Sequence, residues 1–150
     1  MRVYPDTSFL CSLYRKQVHT PVALSYVRSQ TEPILVSSFL VLEFRQSVRL
    51  QGWIHERNPS QGFSLFETDG MLRDFQSDLR TGIWKMVSPD WAEVHQLGEA
   101  ISRKHTAVSG NRLVDILHLA TALHLGCETF LSFDKRQQAL ATAEGLRLGV

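Results

Sequence analysis

The chain has almost no cysteine. Cys11 and Cys127 stand alone, with no CxxC and no histidine pair beside them. That excludes a disulfide framework and a zinc-finger pattern, and both residues are expected to pack as small apolar side chains. Long apolar runs are also missing: none approaches the roughly 18 residues a membrane-spanning helix needs. The opening Met1-Arg2-Val3-Tyr4-Pro5-Asp6 lacks the apolar stretch of a secretory signal. A soluble, cytoplasmic protein without membrane association is therefore expected. There is little excess charge, the formal net charge being +1. Proteins that grip nucleic acid through bulk charge are usually strongly basic, so composition alone does not point to RNA. It leaves room for a local basic rim around an acidic site. Repeats, low-complexity tracts and long linkers are absent, and 150 residues fit one domain spanning 1–150. The 43% hydrophobic content is enough for a core and excludes wholesale disorder.

What is present alternates. A short strand reads Arg2–Pro5, and Asp6-Thr7-Ser8 offers cap side chains for a helix over Phe9–Tyr14. A second helix spans Pro21–Ser29, with Pro21 in its first turn. Ile34–Val36 favours a strand, and Ser37 or Ser38 caps a helix running to about Gln51 that stops near Gly52. Asn58–Gly62 is a loop. Phe63–Leu79 has helical periodicity, Trp84–Val87 reads as a strand, and Asp90 caps a helix from Trp91 to about Lys104. Val108–Asn111 is a loop. Arg112–Leu125 is the clearest amphipathic helix, closed by Gly126. Thr129–Phe133 is a strand, Lys135–Ala143 a helix, and Leu146–Leu148 a last short strand. Such alternation implies an α/β fold with a mostly parallel sheet between helices.

Sites in such sheets form at the carboxyl ends of strands. Asp6 follows the first strand and Asp134 follows Thr129–Phe133. Glu43 and Asp115 lie inside apolar helical stretches, Leu42-Glu43-Phe44 and Val114-Asp115-Ile116. A buried carboxylate is costly unless it is paired, hydrogen-bonded or protonated. Each acid also has a plainer role open to it. Asp6 and Asp134 can cap the helices that follow, Glu43 can face solvent, and Asp115 can pair with Arg112 at i−3. A shared divalent cation would stabilise all four together. Carboxylate oxygens suit hard Mg²⁺ or Mn²⁺, and no histidine spacing favours zinc.

In order, Asp6-Thr7-Ser8-Phe9-Leu10, Leu42-Glu43-Phe44, Asp115-Ile116-Leu117-His118-Leu119-Ala120-Thr121-Ala122 and Ser132-Phe133-Asp134-Lys135-Arg136 resemble the PIN-domain ribonucleases. The small size and complete acid set look like the VapC-type toxin half of a toxin–antitoxin pair. The resemblance implies a three-layer α/β/α sandwich around a mostly parallel sheet of about five strands. It implies Mg²⁺- or Mn²⁺-dependent endoribonuclease activity, with Asp6, Glu43 and Asp115 as principal metal carboxylates and Asp134 completing the catalytic set. It implies an antitoxin partner and commonly a homodimer. Ser8 matches a polar position near the first acid, where its hydroxyl can orient a carboxylate or a water.

Residues 52–82 carry little of the motif. Pro5 interrupts the first strand, and sheet pairing is expected to end there. Ser8, Arg112, Lys135 and Arg136 are the expected substrate-side residues, with Arg45 and Arg49 further candidates because they neighbour an acid in sequence. His118 is expected to be a packed helix histidine, His105 and His124 show no partner, and Trp53, Trp84 and Trp91 are expected in core or interface. Two phosphotransfer patterns fit poorly. A haloacid-dehalogenase nucleophile needs a second Asp where Ser8 stands, and a receiver domain needs an acidic pair where Tyr4-Pro5 stands. The competing class is a PIN-like module that binds RNA or protein without cutting.

Overall fold

A computed structural model describes residues 1–150. Strand and helix alternate as β1 (Val3–Pro5), α1 (Thr7–Tyr14), α2 (Thr20–Ser29), β2 (Ile34–Ser37), α3 (Ser38–Arg57), α4 (Leu65–Thr81) and β3 (Trp84–Val87). They continue as α5 (Trp91–Ser109), α6 (Leu113–His124), β4 (Thr129–Leu131), α7 (Lys135–Ala143) and β5 (Arg147–Leu148). Every strand pairing is parallel: β1 with β4, β4 with β5, and β2 with β3. β2 lies against β1. The five strands therefore run in the order 3-2-1-4-5 within an α/β/α sandwich. The order reverses between β1 and β4, the place where parallel sheets open a crevice at their carboxyl ends.

The seam between β1 and β2 carries no ladder of backbone bonds. Pro5 explains it. The Arg2 carbonyl accepts from Thr129 N (3.3 Å) and the Asp6 amide donates to the Leu131 carbonyl (2.9 Å), so these residues face β4. The intervening Pro5 turns its nitrogen toward β2 and has no hydrogen to give. On the β4 side the ladder ends at Pro5, opposite Leu131, as expected, and the Asp6 amide adds one bond to the Leu131 carbonyl just beyond it. A hydrogen bond of 2.7 Å between the Tyr4 hydroxyl and Ser37 Oγ ties the seam instead.

The core is aromatic at its centre. Tyr4, Phe9, Phe44, Phe75, Trp84 and Phe130 are fully buried. Trp84 donates its indole N–H to the Tyr14 hydroxyl (2.6 Å), which donates to Asp78 (2.6 Å), so neither buried polar tip is left unpaired. Cys11 and Cys127 are free thiols packed in or against this core, and burial pushes both up to about 12. No helix is long and apolar enough to cross a membrane.

Several element ends differ from the sequence pattern, each for a local reason. α3 passes through Gly52 and stops at Arg57. Gly52 is a packing residue there: a Cβ on it would lie 3.3 Å from Thr68 Cγ2 of α4. α4 begins at Leu65 because Ser64 and Glu67 form a reciprocal capping box. α5 runs past Lys104 to Ser109 and ends at left-handed Gly110. β4 stops at Leu131, since the Phe133 amide donates to Ser8 Oγ (2.9 Å) rather than to a strand.

Gly62 closes the loop between α3 and α4 at φ +65°. A Cβ there would fall 2.2 Å from the Gln51 carbonyl oxygen. Gly62→Ala is expected to cost about 2 kcal/mol and to lower the melting temperature by roughly 4–8 °C in a calorimeter. An unchanged melting temperature would show that the loop relaxes freely.

Candidate active site

Three helices begin at one polar cavity. Asp6 caps α1, Arg112 precedes α6 and Asp134 caps α7. Their positive ends favour the negative charge gathered there. The cavity measures about 90 Å³ and is lined by Asp6, Thr7, Ser8, Glu43, Arg112, Asp115, His118, Asp134 and Gln137, none of them apolar. It sits beyond the carboxyl ends of β1 and β4. The four acids expected from the sequence, scattered over 129 positions of the chain, thus share one wall.

Asp6 is both a cap and a cavity residue. Its Oδ1 accepts from the Phe9 amide (3.0 Å) and the Ser8 hydroxyl (2.6 Å), and its Oδ2 from the Ser132 hydroxyl (2.5 Å). Burial pushes its carboxyl above the ordinary range, and the bonds from Ser132, Ser8 and Phe9 offset only part of that. Glu43 reaches in from α3, where its Oε2 accepts short hydrogen bonds from Thr7 Oγ1 and His118 Nε2. Burial pushes Glu43 up, but the bond and charge of His118, with Thr7 and Arg112, bring it below the usual carboxylate range.

Asp115 is 5% exposed in the first turn of α6. Arg112 grips it with Nε to Oδ2 (3.0 Å) and Nη2 to Oδ1 (3.2 Å), and Gln137 donates to Oδ1 (3.4 Å). Asp134 is more open. Its Oδ1 accepts from the amides of Arg136 (2.8 Å) and Gln137 (3.4 Å), while Oδ2 lies 3.7 Å from Arg112 Nη2. One guanidinium therefore bridges two of the acids, and Asp115 raises the Arg112 pKa further above its ordinary value.

The donor chemistry suits a hard divalent cation: several carboxylates, no thiolate, and one neighbouring imidazole. The side chains are nevertheless paired with one another. No group of three or more histidine, cysteine or carboxylate ligands is close enough to grip an ion as it stands. The cause lies in the contacts above, in which Ser8, Ser132, Thr7, His118, Arg112 and Gln137 take up carboxylate oxygens.

The substrate-side expectations divide. Arg112 lines the cavity, and exposed Lys135 and Arg136 line an adjoining cleft. Ser8 is turned inward: its hydroxyl donates to Asp6 and accepts from Phe133, so it orients a carboxylate rather than facing outward. Arg45 is committed to Gln76 (2.6 Å), and Arg49 lines a separate cleft on α3 with Gln46, Leu50 and Trp53. Neither belongs to the acidic cavity.

Thr7, Ser132 and Gln137 were missed as site residues, and His118 was expected to pack rather than to hold an acid. His118 is 1% exposed and packed as expected, but it is packed against Glu43. Its i+3 spacing from Asp115 puts both on one helix face, a signal available in the sequence. Gln137 stands likewise three residues after Asp134. His105 and His124 do have partners, Glu144 (2.5 Å) and the Asp90 amide (3.1 Å). Of the tryptophans, Trp84 is core, whereas Trp53 is 54% exposed under the Arg57 guanidinium.

A parallel α/β/α sandwich with an all-polar acid cavity at its switch point defines the class. The PIN domain family model matches residues 3–143, and the chain belongs to that family. Among solved structures it is similar to Mycobacterium tuberculosis VapC20, described as a sarcin–ricin loop cleaving toxin. That match has TM-score 0.62 and 16% identity, covering 91% of this chain and 93% of that one. It is also similar to FitAcB from Neisseria gonorrhoeae, with TM-score 0.61 and 16% identity, covering 97% of this chain and 95% of that one. At such identities the likeness speaks for a shared fold. No curated protein sequence matches the chain.

Proposed function

We propose that the chain is a Mg²⁺- or Mn²⁺-dependent endoribonuclease and the VapC-like toxin of a toxin–antitoxin pair, acting in the cytoplasm as one domain. The observation that carries this reading is the convergence of Asp6, Glu43, Asp115 and Asp134 on one small cavity without a single apolar lining residue. Family membership supports the nuclease class, and the likeness to VapC20, a sarcin–ricin loop cleaving toxin, supports RNA as substrate and a toxin role. An antitoxin that covers the cavity and a homodimer are the expected assemblies.

Asp6, Glu43, Asp115 and Asp134 are the groups that would hold the ion. When bound, such an ion lowers the pKa of water and offsets charge developing on a phosphodiester. The chain's own residues prepare the rest. Ser8 and Ser132 hold Asp6, and Thr7 and His118 hold Glu43, so neither acid has to be immobilised during the reaction. Arg112 is largely exposed, and swinging it outward frees Asp115 and Asp134 and offers its guanidinium to a phosphate oxygen. Lys135 and Arg136 supply further positive charge on the approach. Attack by water in line with the leaving oxygen would yield a free 3′-hydroxyl and a 5′-phosphate.

A non-catalytic PIN-like module for RNA or protein is the second reading, favoured by the mutual pairing of the acids. Incubation with single-stranded RNA separates the two. The nuclease reading expects cleavage with Mg²⁺ or Mn²⁺, none with chelator, and loss by about a hundredfold or more in Asp115→Asn. The fold should persist in that variant, because the partner left behind, Arg112, is exposed to water. Cleavage that survives both chelator and Asp115→Asn rejects the mechanism.

A further inference from the structure

Beside the acidic cavity lies a second cleft, between the end of α5 and one face of α7. Its volume is about 290 Å³, at the lower end of the roughly 300–1,000 Å³ of small-molecule sites. The two cavities are lined by sequence neighbours at two points in the chain. Asn111 and Lys135 line the cleft, while their neighbours Arg112 and Asp134 line the acidic cavity. A strand of nucleic acid with one phosphate at the acids would have its next residue at this cleft.

The lining has the chemistry of a nucleotide site. Ala139 and Leu140 of α7 give an apolar wall, and Ser109 and Asn111 give polar groups opposite. Lys135 and Arg136 stand at the rim, and neither takes part in any ion pair of the protein. Asp134, adjacent in sequence, is taken up by the amides of Arg136 and Gln137 and by Arg112, and Glu144 is held by Lys104 (2.8 Å) and His105 (2.5 Å), so neither acid pairs with them. Asn111 adds an independent sign. Its Oδ1 is buried and has no hydrogen-bond partner. Unpaired buried polar atoms are uncommon in settled loops. Turning that amide toward a ligand forfeits no bond at Oδ1 and gains one. An asparagine amide carries both a donor and an acceptor, the pair that a base edge presents.

We propose that this cleft is a nucleotide subsite. It takes the base that flanks the cleaved phosphodiester, with Asn111 reading its edge, the Ala139–Leu140 wall meeting its face, and Lys135 and Arg136 holding the adjoining phosphate. The inference rests on the ribonuclease reading of the neighbouring acids and names what that site selects.

The test uses Asn111→Ala and Ala139→Leu in the full chain, the first removing the amide and the second filling the cleft from an exposed helix position. Melting temperatures first verify that both variants fold. Kinetics are then measured on short single-stranded RNAs carrying each base on either side of the cleaved bond. Both variants should raise KM by about tenfold with kcat within about twofold. Asn111→Ala should also flatten base preference at one flanking position. Fluorescence anisotropy of the same labelled RNAs in chelator should show the same loss of affinity. Unchanged KM, preference and anisotropy overturn the proposal, as does a loss confined to binding of a protein partner. Failure of wild-type protein to cut any RNA overturns the ribonuclease reading alone; the anisotropy arm still decides the cleft.

Discussion

Replacing Asp6 with asparagine is expected to lower metal-dependent RNA cleavage by about a hundredfold or more, and yet to raise the melting temperature of the metal-free protein at neutral pH. The two effects have one cause. Burial pushes the Asp6 carboxyl up, so the native state keeps that proton at pH values where an unfolded chain has released it. Such a group contributes stability below its unfolded pKa, about 3.9, and that contribution is lost as pH rises through the folded value. At neutral pH the buried charge is a cost that an ion would offset. Asparagine never ionises. Its carbonyl oxygen can accept from Phe9 N and Ser8 as Oδ1 does now, and its NH₂ can donate to Ser132 Oγ, whose hydroxyl is free to rotate. The N-cap is kept, asparagine being as good a cap as aspartate. A gain of about 1 kcal/mol corresponds to roughly 2–4 °C for a chain of this size. Scanning calorimetry in chelator from acid to neutral pH should show the gain growing as pH rises and vanishing in acid. A variant less stable than wild type at pH 7, or one that still cleaves at the wild-type rate, contradicts this account of Asp6.

The fold was legible because its signals are local. The alternation of apolar strands with capped amphipathic helices depends on neighbours in sequence, and Pro21, Asp90, Gly126 and Asp134 each mark an end where the structure has one. What was misread depends on partners far along the chain. Gly52 looks like a helix stop, but the approach of α4 makes it a packing residue within α3. Pro5 does end its strand, as it looks, but the side on which it withholds a donor is a property of the sheet and not of the sequence.

The acids were legible as candidates for a similar reason: a charge among apolar neighbours is conspicuous in sequence. Their hydrogen-bond partners were not. Ser132 is one more serine until Asp6 is seen 2.5 Å away, across a separation of 126 residues. Arg45 and Arg49 show the converse error. They neighbour Glu43 in sequence but leave α3 on faces turned away from it, toward Gln76 and Trp53.

His118 supplies the largest expected loss of stability. It is 1% exposed, stacks obliquely on Phe39 with ring centroids 5.0 Å apart, and its Nε2–H donates to Glu43. His118→Ala empties that volume and takes the principal partner from a half-buried carboxylate at once. Breaking a buried pair from one side costs about 3–5 kcal/mol. Glu43 is partly exposed, so water recovers some of that, and a net cost of about 3 kcal/mol is expected, or roughly 6–12 °C. The loss should depend on pH. Glu43 sits below its ordinary carboxylate range, so the stability it contributes is present above the unfolded carboxylate pKa and disappears as pH falls through the folded value. The stability difference between wild type and His118→Ala should therefore shrink in acid to the packing loss alone. Activity should fall as well, by about 10–100-fold, because Glu43 held only by Thr7 samples more than one orientation. His118→Gln, which retains a donor of similar reach, separates the two contributions. Partial recovery of cleavage without full recovery of melting temperature assigns the hydrogen bond to orientation of Glu43. If His118→Ala melts and cleaves as the wild type does, the histidine is only filling space.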